Sequence, residues 1–240
     1  MGSIVALIPA RSGSRRIPNK NIKRLGKHPL LAYTIEQARQ SGIFDEIIVS
    51  TDSQEYMDIA WYYHKHCYFV NRNPEYSKDD SPDIEWIKEV FKYYNDNRWD
   101  YFAILRPTNP FRTVVMLQCA WYSYQLKAQS HWLKGVEPVE QHPGKMWNIN
   151  GFIMYPAVNS LANCHMKQTN TLPEIYVQNG SIEIRPTNDL EPTIKQPFIT
   201  HDYEGYDLNT EKDWIYAEWL IANGKVKLID IDKEPYEPSV

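Results

Sequence analysis

Ile4-Val5-Ala6-Leu7-Ile8 is an unbroken apolar run, rich in β-branched residues, that turns abruptly polar after Pro9. A strand with one solvated face alternates apolar and polar residues, whereas this run needs cover on both faces, the condition of a strand inside a parallel sheet. Glu46-Ile47-Ile48-Val49-Ser50 and Tyr101-Phe102-Ala103-Ile104-Leu105 repeat the form, with Tyr68-Phe69-Val70 and Trp132 to Val136 as further strands. Stretches of helical spacing lie between them. Leu30 to Ser41 carries apolar residues at 30, 31, 35 and 38, led in by Pro29 and followed by Gly42. Ser53 is placed to cap a helix from Gln54 to about His64. Asp83 to about Asn95 repeats Ile84, Ile87, Val90 and Phe91, and residues 114–127 are rich in Val, Met, Trp and Tyr. Strand and helix in alternation specify an α/β domain with a mostly parallel sheet and helices on both faces.

The 240 residues suffice for one such domain, possibly with a small appended lobe. A net charge of −4 gives no reason to expect nucleic acid as a partner. No apolar stretch reaches the roughly 18 residues of a membrane span, and the start lacks the pattern of a secretory leader. Cys67, Cys119 and Cys164 are odd in number and far apart, which suits buried thiols in a reducing cytosol. The expected location is therefore cytoplasmic. His64-Lys65-His66-Cys67 invites a metal reading, but no second ligand pair stands at zinc spacing.

Against the acidic whole, Arg11 to Lys27 holds seven cations (Arg11, Arg15, Arg16, Lys20, Lys23, Arg24, Lys27) and no acid. Open α/β sheets bind ligands at the C-terminal ends of their strands. Small residues there let backbone N–H groups approach an anion while Lys and Arg supply charge. A polyphosphate fits such a loop; a merely solvated basic loop is the alternative. Neither the Walker spacing nor the dinucleotide glycine fingerprint is present.

Pro9-Ala10-Arg11-Ser12-Gly13-Ser14, with Ile17-Pro18-Asn19-Lys20-Asn21 after it, resembles the nucleotide-binding motif of the CMP-N-acylneuraminate synthetases, the sugar-acid cytidylyltransferases. Further matches follow in order. Ser50-Thr51-Asp52-Ser53 is one, with Ser53 also readable as a plain helix cap. Arg72 through Asp79 resembles a family loop whose Arg helps hold the nucleotide, and Arg106-Pro107-Thr108-Asn109-Pro110-Phe111-Arg112 resembles a proline-stiffened turn with Gln in place of Arg106. Lys167-Gln168 with Leu172-Pro173, and Tyr176-Val177-Gln178-Asn179-Gly180, match two segments that in the family carry arginines; here those positions are Lys167 and Val177. Tyr206-Asp207-Leu208-Asn209-Thr210 resembles a segment with two aspartates, of which one is Asn209.

The resemblance implies a Rossmann-like fold of the nucleotide-diphospho-sugar transferase type, a single domain over residues 1–240. Residues 142–180 would leave the sheet as a lid or dimerisation excursion, making a homodimer. The implied substrates are CTP and an anionic acceptor, a sugar acid, with Mg²⁺ as cofactor. Nucleotide would be held by Ala10, Arg11, Ser12, Gly13, Ser14, Lys20, Asn21, Arg72 and Asp79. Arg106, Thr108, Asn109, Lys167, Gln168, Tyr176 and Asn179 would hold the acceptor. Arg11, Lys20 and Asp207 would neutralise transition-state charge. Side chains two apart on an extended segment share a face, so Asp207 and Asn209 can offer a metal an aspartate and an amide oxygen, unless Asp207 only caps the next helix. With both family arginines missing, Arg106 and Lys167 are expected to hold the acceptor's anionic group, the alternative for Arg106 being a structural pair with an acid such as Asp79. An acceptor that is a sugar phosphate, and a nucleotide-binding protein without catalysis, stay open as other readings. Thr210 with Asp213 starts a helix running to Ala222, Val226 to Ile231 reads as an edge strand, and the tail from Lys233 is expected to be peripheral.

Overall fold

The computed structural model describes residues 2–78, 81–94, 98–127 and 132–237. The apolar runs form the strands β1 (Ile4–Pro9), β2 (Glu46–Thr51), β3 (Tyr68–Asn71), β4 (Tyr101–Ile104) and β5 (Trp132–Pro138), interleaved with α1 (Leu30–Ser41), α2 (Gln54–Tyr63), α3 (Asp83–Tyr94) and α4 (Val114–Gln125). Chain ends behave as their residues dictate. Gly42 closes α1 in the left-handed region at φ 64°, Ser53 accepts from the Tyr56 N–H at the start of α2, and Thr113 caps α4 through the Met116 N–H.

Between residues 139 and 175 the chain leaves this pattern and forms a separate antiparallel hairpin, β6 (Trp147–Asn150) with β7 (Ile153–Pro156), and short 3-10 turns. It returns as β8 (Tyr176–Pro186), then β9 (Lys195–Ile199) and α5 (Glu211–Ala222). The seven-stranded sheet runs β9-β5-β8-β4-β1-β2-β3. All neighbours are parallel except β8, which is antiparallel to both β4 and β5. The expected α/β class therefore holds, and two expectations need correction. Tyr176–Gly180 belong to a central strand rather than to the excursion, because β8 bulges between Gln178 and Glu183 and its alternation is broken there. Val226–Ile231 is not a strand. Instead Val226, Leu228, Ile229 and Ile231 pack against the cluster beneath α5, which satisfies their apolarity without a ladder.

β1 is covered on both sides, as its composition requires. Ile4, Ala6 and Ile8 join Leu31 and Ile35 of α1 and Leu117 and Ala120 of α4. Val5 and Leu7 join Trp86, Ile87 and Val90 of α3. A third cluster joins Ile17 of the basic loop, Leu30, Phe111 and Leu208 with Trp214 and Leu220 of α5. It fixes three loops at the C-terminal edge of the sheet.

One buried cation ties that edge together. Arg112 is 2% exposed, and its guanidinium donates to Gln37 Oε1 (3.2 Å), Thr34 Oγ1 (2.9 Å), Ser181 O (2.9 Å) and Arg106 O (2.9 Å). Gln37 Nε2 in turn donates to Pro110 O (2.7 Å) and Arg112 O (2.9 Å). Helix α1, the turn after β4 and the bulge of β8 are thereby clamped to one another. Burial pushes the Arg112 pKa down to about 9, with Asp207 pulling the other way, so the group stays charged at neutral pH.

Candidate active site

The loop after β1 is held open by its own small residues. Gly13 takes φ 69°, a left-handed conformation that a side chain would strain. The Ser12 N–H and Oγ donate to the two carboxylate oxygens of Asp52 at 2.6 and 3.0 Å. Of the pair after β2, Ser53 caps the helix, and Asp52 instead clamps the basic loop. Asn21, 6% exposed, donates to Arg11 O (3.0 Å) and closes the far end. Arg11 Nη1 reaches across to Ser77 O (2.9 Å).

The expected nucleotide residues gather around three contiguous hollows. One of about 610 Å³ is lined by Arg11, Ser12, Gly13, Arg15 and Asp52. One of about 440 Å³ lies among Arg11, Ser14, Arg15, Arg16, Lys20 and Asn209. One of about 190 Å³ lies between Pro9, Arg11, Lys20, Arg72, Arg106 and Thr108. Ala10 is fully buried behind them, with its N–H on Ser50 O (2.9 Å). Asp79 lies outside the described residues. Arg15 and Arg16 extend the set, and the signal for them is the basic run itself.

Lys20 is half-buried, and its ammonium donates to Leu208 O at 2.8 Å. Burial lowers its pKa, against the pull of Asp207. Leu208 is placed in turn by its own N–H on Thr108 O (2.8 Å). Asp207 and Asn209 do share a face, as their spacing dictates, and Asn209 Nδ2 donates to Asp207 Oδ2 at 2.6 Å. Asp207 Oδ1 is buried with no hydrogen-bond partner. The helix is capped by Thr210 with Asp213 rather than by Asp207: Thr210 Oγ1 accepts from the Asp213 N–H (3.3 Å) and the Asp213 carboxylate accepts from the Thr210 N–H (2.6 Å), completing a capping box. Asp207 is thus left for another task.

Arg72 is 4% exposed, donates through Nε to Ser50 Oγ (3.0 Å) and stacks on Trp86, 4.8 Å from the ring centre. Burial brings its pKa down to about 10. Trp86 Nε1 donates to Asp83 Oδ1 (2.9 Å). Arg106 is not a lone cation. Its Nη2 donates to Asp83 Oδ2 and to Glu183 Oε1, both at 2.7 Å. Glu183, 2% exposed, also accepts from Arg185 Nη2 (2.8 Å) and Trp132 Nε1 (2.8 Å). Burial opposes charge at all these groups, but the charges prevail: Arg106 is raised, and Asp83 and Glu183 are held below the usual carboxylate range. The expected structural pair for Arg106 therefore exists in kind, with acids other than Asp79.

The remaining acceptor candidates are dispersed. Thr108 borders the cavity with Arg106. Asn109 is fully buried and donates to Gly205 O (3.1 Å) and Tyr206 O (3.2 Å). Asn179 is held by Glu137, Thr200 and Ser181 inside the sheet. These two amides shape the frame. Lys167, Gln168 and Tyr176 are exposed, and Lys167 lies on the excursion, where its backbone O accepts from Lys145 Nζ. It does not join Arg106. Sequence reasoning passed over Asp83, Glu183 and Trp132. The available signal was an acid set between Ile182 and Ile184 in an otherwise apolar strand.

A mostly parallel sheet with a basic hollow at its strand ends is the arrangement in which open α/β proteins bind anionic ligands such as nucleotides. A family profile described as cytidylyltransferase matches residues 5–141. The chain belongs to this cytidylyltransferase family. It is 30% identical over 238 residues to CMP-N,N'-diacetyllegionaminic acid synthase of Legionella pneumophila, covering 94% of this chain and 99% of that one. It is 47% identical over 109 residues to the N-acylneuraminate cytidylyltransferase of Escherichia coli, covering 45% of this chain but 25% of that protein. The corresponding enzyme of Streptococcus agalactiae is matched over 52% of its length at 32% identity. The chain thus spans about half or less of these two relatives. Among solved structures, CMP:2-keto-3-deoxy-manno-octonic acid synthetase complexed with CTP superposes with a TM-score of 0.67 at 14% identity, covering 92% of this chain and 99% of that one. The 4-diphosphocytidyl-2C-methyl-D-erythritol synthase of Anaerococcus prevotii gives 0.62 at 14%, covering 92% and 96%. Both likenesses are of fold. No helix of the described residues is long and apolar enough to cross a membrane.

The Arg106 pairs generate a pH-dependent expectation. Asp83 and Glu183 have depressed pKa values in the fold, so their contribution is present above the ordinary carboxylate range and fades as pH falls through the depressed values. Arg106→Gln should destabilise the protein by about 2 kcal/mol at pH 7, below the usual loss for a fully buried pair because Arg106 and Asp83 are partly exposed. The deficit should shrink at about pH 3, below the ordinary carboxylate range. Urea unfolding of both proteins at the two pH values measures it; an equal loss at both would assign the effect to packing.

Proposed function

We propose that this cytidylyltransferase moves the CMP portion of CTP onto a sugar acid and releases pyrophosphate. The observation that carries this reading is the convergence of Arg11, Lys20 and Arg72 on adjoining hollows at the ends of β1 and β4, with Asn209 lining the same space and Asp207 held against it. The Legionella relative, matched over nearly its whole length and named for a CMP-legionaminic acid, supports an acid of that kind as acceptor class. Transfer proceeds by in-line attack of an acceptor oxygen on the α-phosphorus, with the bond to the β-phosphate oxygen breaking. Such reactions depend on positioning and on neutralising charge rather than on a strong protein base. The Ser12–Ser14 backbone and Asn21 shape the phosphate seat, Arg11 and Lys20 offset its charge, and Arg72 stands at the wall toward Arg106 and Thr108.

A divalent cation fits the donor set. An aspartate oxygen that is buried and orphaned, beside an amide oxygen that can rotate inward, suits a hard cation completed by phosphate oxygens and water. Mg²⁺ is the proposed cofactor, with Asp207 and Asn209 holding it. When bound it would supply charge neutralisation to the phosphates. The excursion is proposed to pair two copies of the chain, since its side chains stand in solvent in a single copy. Ile149 is 72%, Met154 54% and Tyr155 47% exposed, and Phe152 is wholly so.

Pyrophosphate release should appear with CTP plus one of N-acetylneuraminate, N,N'-diacetyllegionaminate, pseudaminate or 2-keto-3-deoxy-manno-octonate, and not with CTP alone. In the same assay Lys20→Ala should lower turnover by about a hundredfold or more with the fold intact, the cost of one preorganised charge contact. Near-normal turnover would remove Lys20 from the phosphate seat. Asn209→Asp sets two carboxylates at the 2.6 Å contact now made by an amide. It should lower the melting temperature of the metal-free protein and steepen its recovery with added Mg²⁺; unchanged Mg²⁺ dependence would place the metal elsewhere. Sedimentation should report a dimer that Phe152→Asp weakens, and a wild-type chain that stays monomeric at every concentration would rule out pairing.

A further inference from the structure

The charges of β5 and β8 lie on one face of the sheet. Leu133 and Ile184 are buried against α4, so the two-residue period sends Trp132, Lys134, Glu183 and Arg185 to the opposite face, where Lys134 stands directly across from Glu183. Over β1 and β4 that face is covered by α3. Over β5 and β8 it opens into a hollow of about 220 Å³ walled by Asp83, Arg106, Trp132, Lys134, Gln178 and Glu183, with exposed Glu191 at its rim. Asp83 and Arg106 also wall the hollow that contains Lys20. The two compartments therefore meet at this ion pair.

The cations around the Trp132 ring differ in how much donor capacity they retain. Arg185 gives Nη2 to Glu183 and Nη1 to Leu190 O (2.8 Å), and its remaining donor, Nε, is sealed from solvent without a partner. Lys195 lies 4.9 Å from the ring centre and gives its protons to Pro192 O (2.6 Å) and Thr193 O (3.2 Å). Arg106 shares one nitrogen between two carboxylates. Lys134 lies 3.7 Å from the ring centre and makes one hydrogen bond, to the neutral Gln178 Oε1 at 2.8 Å. Among the described residues it forms no ion pair. An ammonium has three donors, so two of them remain to be satisfied in a half-buried position. Within this hollow Arg106 and Arg185 pair with Asp83 and Glu183, and the charges outside those pairs are Lys134 and, at the rim, Glu191.

We propose that Lys134, steadied by Gln178, binds the carboxylate of the acceptor acid. Arg106, locked between Asp83 and Glu183, acts as a positioning residue at the junction with the nucleotide compartment. This inference rests on the sugar-acid reading above and moves the anion-binding role from Lys167 to the sheet. It explains how a chain with Lys167 and Val177 where the resembling family carries arginines still offers a cation to its substrate.

The test uses the full-length protein, the four acids named above and pyrophosphate release. For the acid that wild type accepts, Lys134→Met should raise KM by about tenfold to a hundredfold, as for loss of a charge-assisted hydrogen bond, with KM for CTP and the melting temperature unchanged. Lys134→Arg should restore most of the affinity, and Lys195→Met, on the same ring but already satisfied, should leave KM alone. An unchanged KM for the acid in Lys134→Met, or an equal rise for both substrates, overturns the inference and leaves the sugar-acid reading standing. No release by wild type with any of the acids overturns that reading and the inference with it.

Discussion

A buried guanidinium whose hydrogen-bond partners are all neutral governs the C-terminal edge of the sheet. Arg112 satisfies its donors entirely with neutral oxygens, drawn from α1, from the turn after β4 and from the bulge of β8. Only a planar fork of fixed geometry can serve three elements at once; a lysine would offer a point charge and fewer directions. The turn it holds carries Arg106 and Thr108, and Thr108 places Leu208, whose carbonyl receives Lys20. The setting of Lys20 in the basic loop therefore depends on a residue that is itself buried.

The sheet itself was legible in the sequence wherever burial was uniform. β1, β2 and β4 lie under helices on both sides, so their apolar runs had no competing interpretation, and the helices between them ended at residues with evident capping chemistry. β8 escaped because its neighbours change along its length. Its first residues are exposed, its middle is a bulge, and its last residues bury the charges Glu183 and Arg185 among apolar neighbours. Val226 to Ile231 misled in the opposite sense, since an apolar segment can be buried by packing on a helix as well as by pairing in a ladder.

At the site, residue type announced chemistry better than partnership. The basic loop, Arg72 and the Asp207–Asn209 spacing could be read one residue at a time, because each lies in a local motif. The identity of what faces Arg106 could not. Asp83, Glu183 and Arg106 come from three separate elements, and their meeting is a product of strand order. The same holds for Asn109 and Asn179, whose amides suit a ligand as well as they suit the protein's own polar groups; the fold spends Asn109 on backbone carbonyls and Asn179 on the side chains of Glu137, Thr200 and Ser181. A buried network of this kind also resists piecemeal change, since each carboxylate left without its cation would carry a desolvation cost.

The excursion between β5 and β8 leaves and re-enters the sheet at one place, for the Val139 N–H donates to Ile175 O at 3.0 Å. An insertion whose two ends are already hydrogen-bonded neighbours imposes almost no geometric condition on the chain between them, and lengthening it costs closure entropy only logarithmically. Its sequence can drift, shorten or be exchanged wholesale while the strand ladder on either side stays in register. Such a segment is a natural graft point: chimaeras that trade residues 140–174 among relatives would vary whatever the excursion touches while inheriting an untouched catalytic sheet.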